Sequence, residues 1–393
     1  MAHREIPVTQ PLFDNCEIDA LTEVIRSGWV TQGPRVAEFE KAVAAYTGAR
    51  FAIATNSWST AMFLAMRLQG IGTGDEIIVP SFTCPATPNA IRHTGAMPVW
   101  VDIDRRTFNL DPEFIEPAVT PRTKAIMAVH YYGLAADVDA IDKVARRHGL
   151  LVFEDAGVAL GGGYKGQKIG SLGAPTGFSF HGRKIVTAGE GGMLTTNDEH
   201  LAEHMRNIRS HGASVSDFAR HQAKGTILQE YTDLGYNFRM TDLQGAVGAE
   251  QMKKLPTILT RRQQLAARYD RLLAELPEVE TPYVPSGYEH SYQAYAVWLT
   301  PTCKLNVEDI LKATAARGVS SRHSLICHTQ PYYREFCGEV RLPLTEEAAR
   351  RTLVLPLYPS MTEEDQDYVV QVLKDILVKA HSTHPISHNS VSS

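Results

Sequence analysis

Along the first two hundred residues one rhythm repeats: a short aliphatic or β-branched run, a break of small or polar residues, then a helical periodicity. The runs are FAIAT (51–55), EIIVP (76–80), PVWVDI (98–103), AIMAVH (125–130), LLVFE (150–154), GFSFH (177–181) and GGMLTT (191–196). Most lack the apolar–polar alternation of a half-exposed strand, which places them in a sheet covered on both faces. Between several of them lie amphipathic patterns such as AMFLAMRLQG and DVDAIDKVARRHG. The second opens on acidic residues and ends on basic ones before Gly149, as the helix dipole favours. Strands alternating with helices predict a mostly parallel α/β sheet, and such a sheet takes its ligands beyond the carboxyl ends of its strands.

Farther along, the stretch from about 199 to 275 reads as helices, with Asn197 as a cap for the first. ETPYVPSGYEHS, rich in Pro, Gly and Ser, reads as a connection to a last unit. That unit holds a strand YQAYAVWLT (292–300) and the helices VEDILKATAARG, EEAARRTL and EEDQDYVVQVLKDIL, with N-caps expected at Asn306, Thr345 and Thr362. The pattern divides into a large domain over 1–255, a smaller α+β domain over 256–380, and a polar, aperiodic tail over 381–393 that is expected to be disordered.

Length and composition narrow the class. At 393 residues the chain exceeds a single small fold, and 44% apolar with 21% charged residues is normal for a protein with a sizeable core. Thirty-nine Lys and Arg against 44 Asp and Glu give a net charge of −5, no whole-chain reason to expect nucleic acid or an anionic membrane as partner. No run approaches the ~18 apolar residues of a membrane span, and the opening residues carry no signal-peptide pattern. The five cysteines (Cys16, Cys84, Cys303, Cys327, Cys337) form no C-x-x-C pair and predict neither a disulfide framework nor a zinc cluster. A cytoplasmic protein without a metal is expected.

Three local features carry chemistry. GFSFHGRKIVTAGEGGMLTT brings a buried-looking strand to Ser179 and then sets Lys184 in a polar, glycine-rich turn. LVFEDAG puts Glu154 and Asp155 at the carboxyl end of an apolar strand, where a desolvated carboxylate needs a partner. ATNSWSTAMFLAM runs from a strand through Ser57, Trp58 and Ser59 into a helix N-terminus, whose free amides suit an anion. Singly, each is also what an ordinary α/β protein shows: a surface lysine, a paired acid, a capped helix. Together they fit pyridoxal 5'-phosphate (PLP), which needs an anion cradle, an acid facing its ring nitrogen and a lysine amine for its aldehyde. A lysine amine serves only when neutral, which burial promotes.

With these residues in view, the sequence resembles the DegT/DnrJ/EryC1/StrS family of PLP-dependent sugar aminotransferases, of the fold-type I aspartate aminotransferase superfamily. The resemblance runs from about residue 7 to 376, through SGWVTQGPRVAEFEKAVAAYTGA, GDEIIVPSFTCPATPNAI, VHYYGLAADVDAI, FEDAGVALGGGYKGQKIGSLG, SFHGRKIVTAGEGGMLTTND, GYNFRMTDLQGAVGAEQM and LPLYPSMTEED. It implies a seven-stranded, mostly parallel large-domain sheet with a smaller C-terminal domain. Lys184 matches the family's cofactor lysine, Asp155 the acid at the ring nitrogen, and Ser179 with Ser57–Ser59 the phosphate contacts. Asn237 in GYNFR matches an asparagine that reaches the neighbouring subunit's cofactor, which implies a homodimer with shared sites. Arg239 matches a substrate contact across that interface or a structural ion pair. Thr31 and Gly33 match a turn near the substrate, and His328 either a histidine near the sugar or a packed loop residue.

The chain departs from the family pattern at three places. Cys84 stands where many members stack an aromatic ring on the cofactor, and Val158 where many have a polar contact to its phenolic oxygen. Trp58 replaces a frequent glycine, yet its backbone amide remains available.

The resemblance implies transfer of an amino group from an amino acid, with L-glutamate the expected donor, to a ketone of a nucleotide-activated sugar. Pyridoxamine 5'-phosphate would be the cofactor form between the two half-reactions. A cyclitol (keto-inositol) aminotransferase and a non-catalytic binding protein on the same fold are the alternatives. Lysine rather than histidine at 184 speaks against the family's dehydratases.

Overall fold

The apolar runs pair into one sheet whose strands are Phe51–Thr55 (β1), Glu76–Pro80 (β2), Met97–Val101 (β3), Thr123–Val129 (β4), Leu151–Asp155 (β5), Thr176–Ser179 (β6) and Gly192–Thr196 (β7). A computed structural model describes residues 4–215, 217–222 and 229–383. The sheet order is β1-β7-β6-β5-β4-β2-β3. β7 runs antiparallel to both neighbours, and the remaining pairs are parallel. The reversal follows from the connection: β7 returns directly after the loop that bears Lys184, without the crossover helix a parallel neighbour requires. Every residue of β2 and of β7 is buried, as the missing alternation predicts.

A second sheet forms from Val279–Glu280, Tyr295–Leu299, Thr352–Leu355 and Arg322–His323, all antiparallel. Its core includes Tyr295, Val297, Leu353, Leu355 and Leu373, and also Ile6 from the other end of the chain. Ile6 is drawn there by a bridge to Val319, with backbone hydrogen bonds to Gly318 and Ser320. The helix Asp242–Leu273 links the two units. Its Ala249, Met252, Leu255 and Ile258 pack in the large-sheet core, and its Leu265, Ala266, Tyr269 and Leu273 in the small one. The expected boundary at 255 thus falls inside one continuous helix.

Several local expectations need correction. The helix expected over EEAARRTL is Pro343–Arg351, and the residues after it turn into strand Thr352–Leu355, where a β-branched, apolar run pairs with Tyr295–Leu299. Thr345 is therefore no cap: its amide and hydroxyl both donate to Asp102 Oδ1 at 2.7 Å. Pro343 opens that helix instead, with its φ already set for the first turn. Asp198 rather than Asn197 caps the helix Glu199–Ile208, while Asn197 accepts from the Arg50 amide. Asn306 and Thr362 cap as expected, accepting from the amides of Asp309 and Asp365. Between Ile208 and Asp242 the only helix among the described residues is Asp217–Gln222. The last helix runs Glu363–Thr383, and the rest of the expected tail lies outside the described residues. Among the described residues no helix is long and apolar enough to cross a membrane.

Candidate active site

Beyond the carboxyl end of β5, one cavity of about 700 Å³ opens between the two units. It collects Ser57, Trp58, Ser59, Cys84, Asp155, Val158, Ser179 and Lys184, eight of the nine residues expected at the cofactor.

Asp155 ends β5 and is 7% exposed. Its Oδ2 accepts from Thr87 Oγ1 at 2.6 Å and its Oδ1 from the Gly157 amide at 2.9 Å, so the carboxylate is fixed from both sides. Burial pushes its pKa up, while those two hydrogen bonds and the charge of Lys184 pull it back. The preceding residue points to the other face of the strand. Glu154 is fully buried and meets the equally buried His130 at 2.9 Å through Oε2. Since the Ala136 amide donates to His130 Nδ1 at 3.0 Å, the proton sits on Nε2 and is given to Glu154. The two acids named in the sequence thus divide between cavity and frame.

Lys184 lies in the loop between β6 and β7, pinned through its own backbone. Its amide donates to the His181 carbonyl at 2.9 Å. On either side, Gln293 takes the Ile185 amide on Oε1 at 2.9 Å and donates Nε2 to the Arg183 carbonyl at 2.8 Å. Burial pushes the Lys184 amine below its ordinary pKa, opposed by the neighbouring Cys84 and Asp155. Its Nζ has no hydrogen-bond partner among the described residues. A desolvated amine of lowered pKa spends more of its time neutral, the form that attacks a carbonyl.

The expected anion cradle lies at the N-terminus of the helix Trp58–Leu68, capped by Ser57 through the Thr60 amide. Its first-turn amides, at Trp58 and Ser59, have no helical carbonyl to satisfy them. Two glycines hold this turn against the sheet. A Cβ at Gly192 would collide with the Ser57 carbonyl carbon and oxygen and the Trp58 amide nitrogen, and one at Gly177 with the Met62 and Trp58 side chains. The Trp58 indole then donates to the Gly177 carbonyl at 3.0 Å, which explains how a large residue replaces the usual glycine: it turns away from the cradle into the core.

The remaining expected residues do not line the cavity in this chain. Asn237 is exposed and bridges Ser210. Arg239 donates to Ser210 Oγ at 3.2 Å. Thr31 and Gly33 form a loop against Asp242, whose carboxylate accepts the amides of Gly33, Arg35 and Val36. His328 is 3% exposed, and its Nδ1 meets Ser81 Oγ at 2.6 Å. Conversely, Thr87, Tyr131, Arg183, Gln293 and Arg322 line the cavity and were not singled out in the sequence. Thr87, Tyr131 and Arg183 lie in the landmarks GDEIIVPSFTCPATPNAI, VHYYGLAADVDAI and SFHGRKIVTAGEGGMLTTND, whereas Gln293 and Arg322 lie in none.

These residues suit PLP on their own terms: a buried carboxylate with one face toward the cavity, a desolvated amine without a partner, and unsatisfied amides at a helix start. Comparison with known proteins agrees. The profile of the DegT/DnrJ/EryC1/StrS aminotransferase family matches residues 11–374. The spore coat polysaccharide biosynthesis protein SpsC of Bacillus subtilis is 42% identical over 378 residues, 95% of this chain and 97% of that protein. Among solved structures, Helicobacter pylori PseC, an aminotransferase involved in the biosynthesis of pseudoaminic acid, superposes with a TM-score of 0.89 at 28% identity, covering 96% of this chain and 100% of that one. DesI, solved in the presence of its TDP-sugar product, gives 0.87 at 31% identity, with 98% and 96% covered. The chain belongs to the DegT/DnrJ/EryC1/StrS family of PLP-dependent aminotransferases.

Proposed function

We propose that this protein moves an amino group from L-glutamate to the keto group of a nucleotide-activated sugar, of 4-keto-6-deoxy or 3-keto type, for a surface polysaccharide or a sugar antibiotic. The observation that carries the reading is the partnerless, desolvated amine of Lys184 in the same cavity as the doubly hydrogen-bonded Asp155. The names of SpsC, PseC and DesI point the same way on substrate and pathway.

PLP bound in this cavity would supply a ring that accepts the electron pair released at the substrate's α-carbon. Lys184 would be its covalent anchor and, once freed, would carry a proton between the substrate's α-carbon and the cofactor's aldehyde carbon. Asp155, held by Thr87 and Gly157, would keep a proton on the ring nitrogen. Ser57, Trp58, Ser59 and Ser179 would bind the phosphate through amides and hydroxyls. Cys84 and Val158 would border the ring without the stacking and polar contacts many relatives use there.

Asn237, with Arg239 and the Thr31–Gly33 turn, would complete the site of a second subunit. Asn237 is exposed, and Tyr231 and Leu234 on the same segment are 66% and 71% exposed, apolar surface that a homodimer would cover.

The test is amino-donor-dependent turnover of the PLP-loaded protein against a panel of dTDP-, UDP- and GDP-linked keto-sugars, alongside keto-inositol, with products read by NMR. Ping-pong kinetics with glutamate and one nucleotide sugar are expected. Turnover of keto-inositol alone would reassign the protein to the cyclitols, and none with any acceptor would refute the reading.

A further inference from the structure

Two guanidinium groups converge on the cavity from opposite units. Arg183 precedes Lys184 in the large unit, and Arg322 lies on the small-sheet strand Arg322–His323; both line the cavity and both are exposed at its mouth. Neither guanidinium has an ion pair or a hydrogen bond among the described residues. Arg322 is held below its ordinary pKa by burial and then by the like charge of Arg183, so the two groups repel each other. The carboxylates on the same cavity wall do not answer them. Asp155 is engaged by Thr87 and Gly157, and Glu190 has His181 at 3.7 Å.

Their backbones are fixed all the same. Gln293 holds the Arg183 carbonyl. The Arg322 strand is zipped to Val354 and Leu353, and Ser324, two residues on, hydrogen-bonds the Tyr132 hydroxyl of the large unit. Two unneutralised guanidiniums on fixed supports across a cleft make a receptor for a dianion, and the guanidinium fork matches phosphate oxygens two at a time.

We propose that Arg183 and Arg322 form a subsite for the diphosphate of the sugar nucleotide. The proposal rests on the reading of the preceding subsection and deepens it. A diphosphodiester brings two negative charges, the number needed here, whereas a donor α-carboxylate brings one. That carboxylate is also attached to the reacting carbon and must sit deep beside Lys184, while the arginines stand at the mouth. Because the two arginines belong to different units, a diphosphate bound between them ties the units together over the occupied cavity.

The experiment titrates the PLP-loaded, full-length protein with inorganic pyrophosphate, UDP and dTDP, and separately follows the loss of visible cofactor absorbance on adding glutamate. For Arg183→Gln and for Arg322→Gln, affinity for all three probes is expected to fall roughly tenfold to a hundredfold, the loss of one charge-assisted contact. Arg183→Lys and Arg322→Lys, which keep the charge but lose the fork, are expected to lie between. The glutamate response shows that each variant is folded and loaded. Unchanged probe binding in the glutamine variants would overturn the subsite, as would a loss that falls on glutamate rather than on the diphosphates. If wild-type protein fails to respond to glutamate while pyrophosphate binding still depends on both arginines, the aminotransferase reading fails and the anion subsite stands.

Discussion

Thr87 Oγ1 donates to Asp155 Oδ2 at 2.6 Å, linking residues 68 positions apart, and thereby fixes how the buried carboxylate faces the cavity. The single hydroxyl proton of Thr87 is committed to Asp155, so in its 2.8 Å contact with Thr83 Oγ1 it accepts. In the proposed site the hydroxyl would act on the cofactor only through the acid, as a positioning group.

Thr87→Val removes a hydrogen bond to a buried charged group, an effect of about 1.5–3 kcal/mol. Apparent PLP affinity, titrated by absorbance, is expected to fall at least tenfold. Thr87→Ser should recover most of it, and a valine variant that binds like wild type would show that Gly157 alone suffices.

Burial lowers the Lys184 pKa and Asp155 raises it again. The rate at which the ligand-free protein takes up PLP should therefore climb with pH to a midpoint below the ordinary lysine value of 10.5. Asp155→Asn removes one upward influence and should move that midpoint farther down. The stability signs are opposite for the two groups. Around Lys184 the unfolded chain binds the extra proton, so stability rises with pH between the lowered and the ordinary value. Around Asp155 the folded chain binds it, so stability falls as pH rises from 3.8 through the raised value. Stopped-flow uptake and pH-dependent unfolding read the two effects separately.

Gly192→Ala forces a methyl group against the Ser57–Trp58 peptide, which is backbone and cannot swing aside. Overpacking of this kind costs about 1–3 kcal/mol. Because the displaced peptide belongs to the proposed anion cradle, the variant should lose PLP affinity more steeply than unfolding stability. A variant destabilised yet binding PLP as wild type does would place the cradle elsewhere.

How far the sequence carried the account depended on whether partners lie near one another in the chain. The sheet strands were legible because most carry an apolar run of three or more residues without helical spacing. Asp155 and Ser57–Ser59 sit at a strand end and a helix start, and Lys184 in the glycine-rich loop after a strand, all marked locally in the sequence. Gln293, 108 positions from Ile185, and Arg322, brought to the cavity by pairing with Leu353 and Val354, carry no such local mark. The helix EEAARRTL overran its end because its pattern does not show that Thr352–Leu355 is claimed by a neighbouring strand, a tertiary preference that overrides propensity. The contact that packs His328 against Ser81, 247 residues away, likewise has no local mark.

The most direct measurement is borohydride reduction of the PLP-loaded protein, followed by peptide mass mapping. A phosphopyridoxyl group on Lys184, with loss of the visible absorbance and none in Lys184→Ala, is the predicted result. A label on another lysine, or no uptake of PLP at all, would contradict the account.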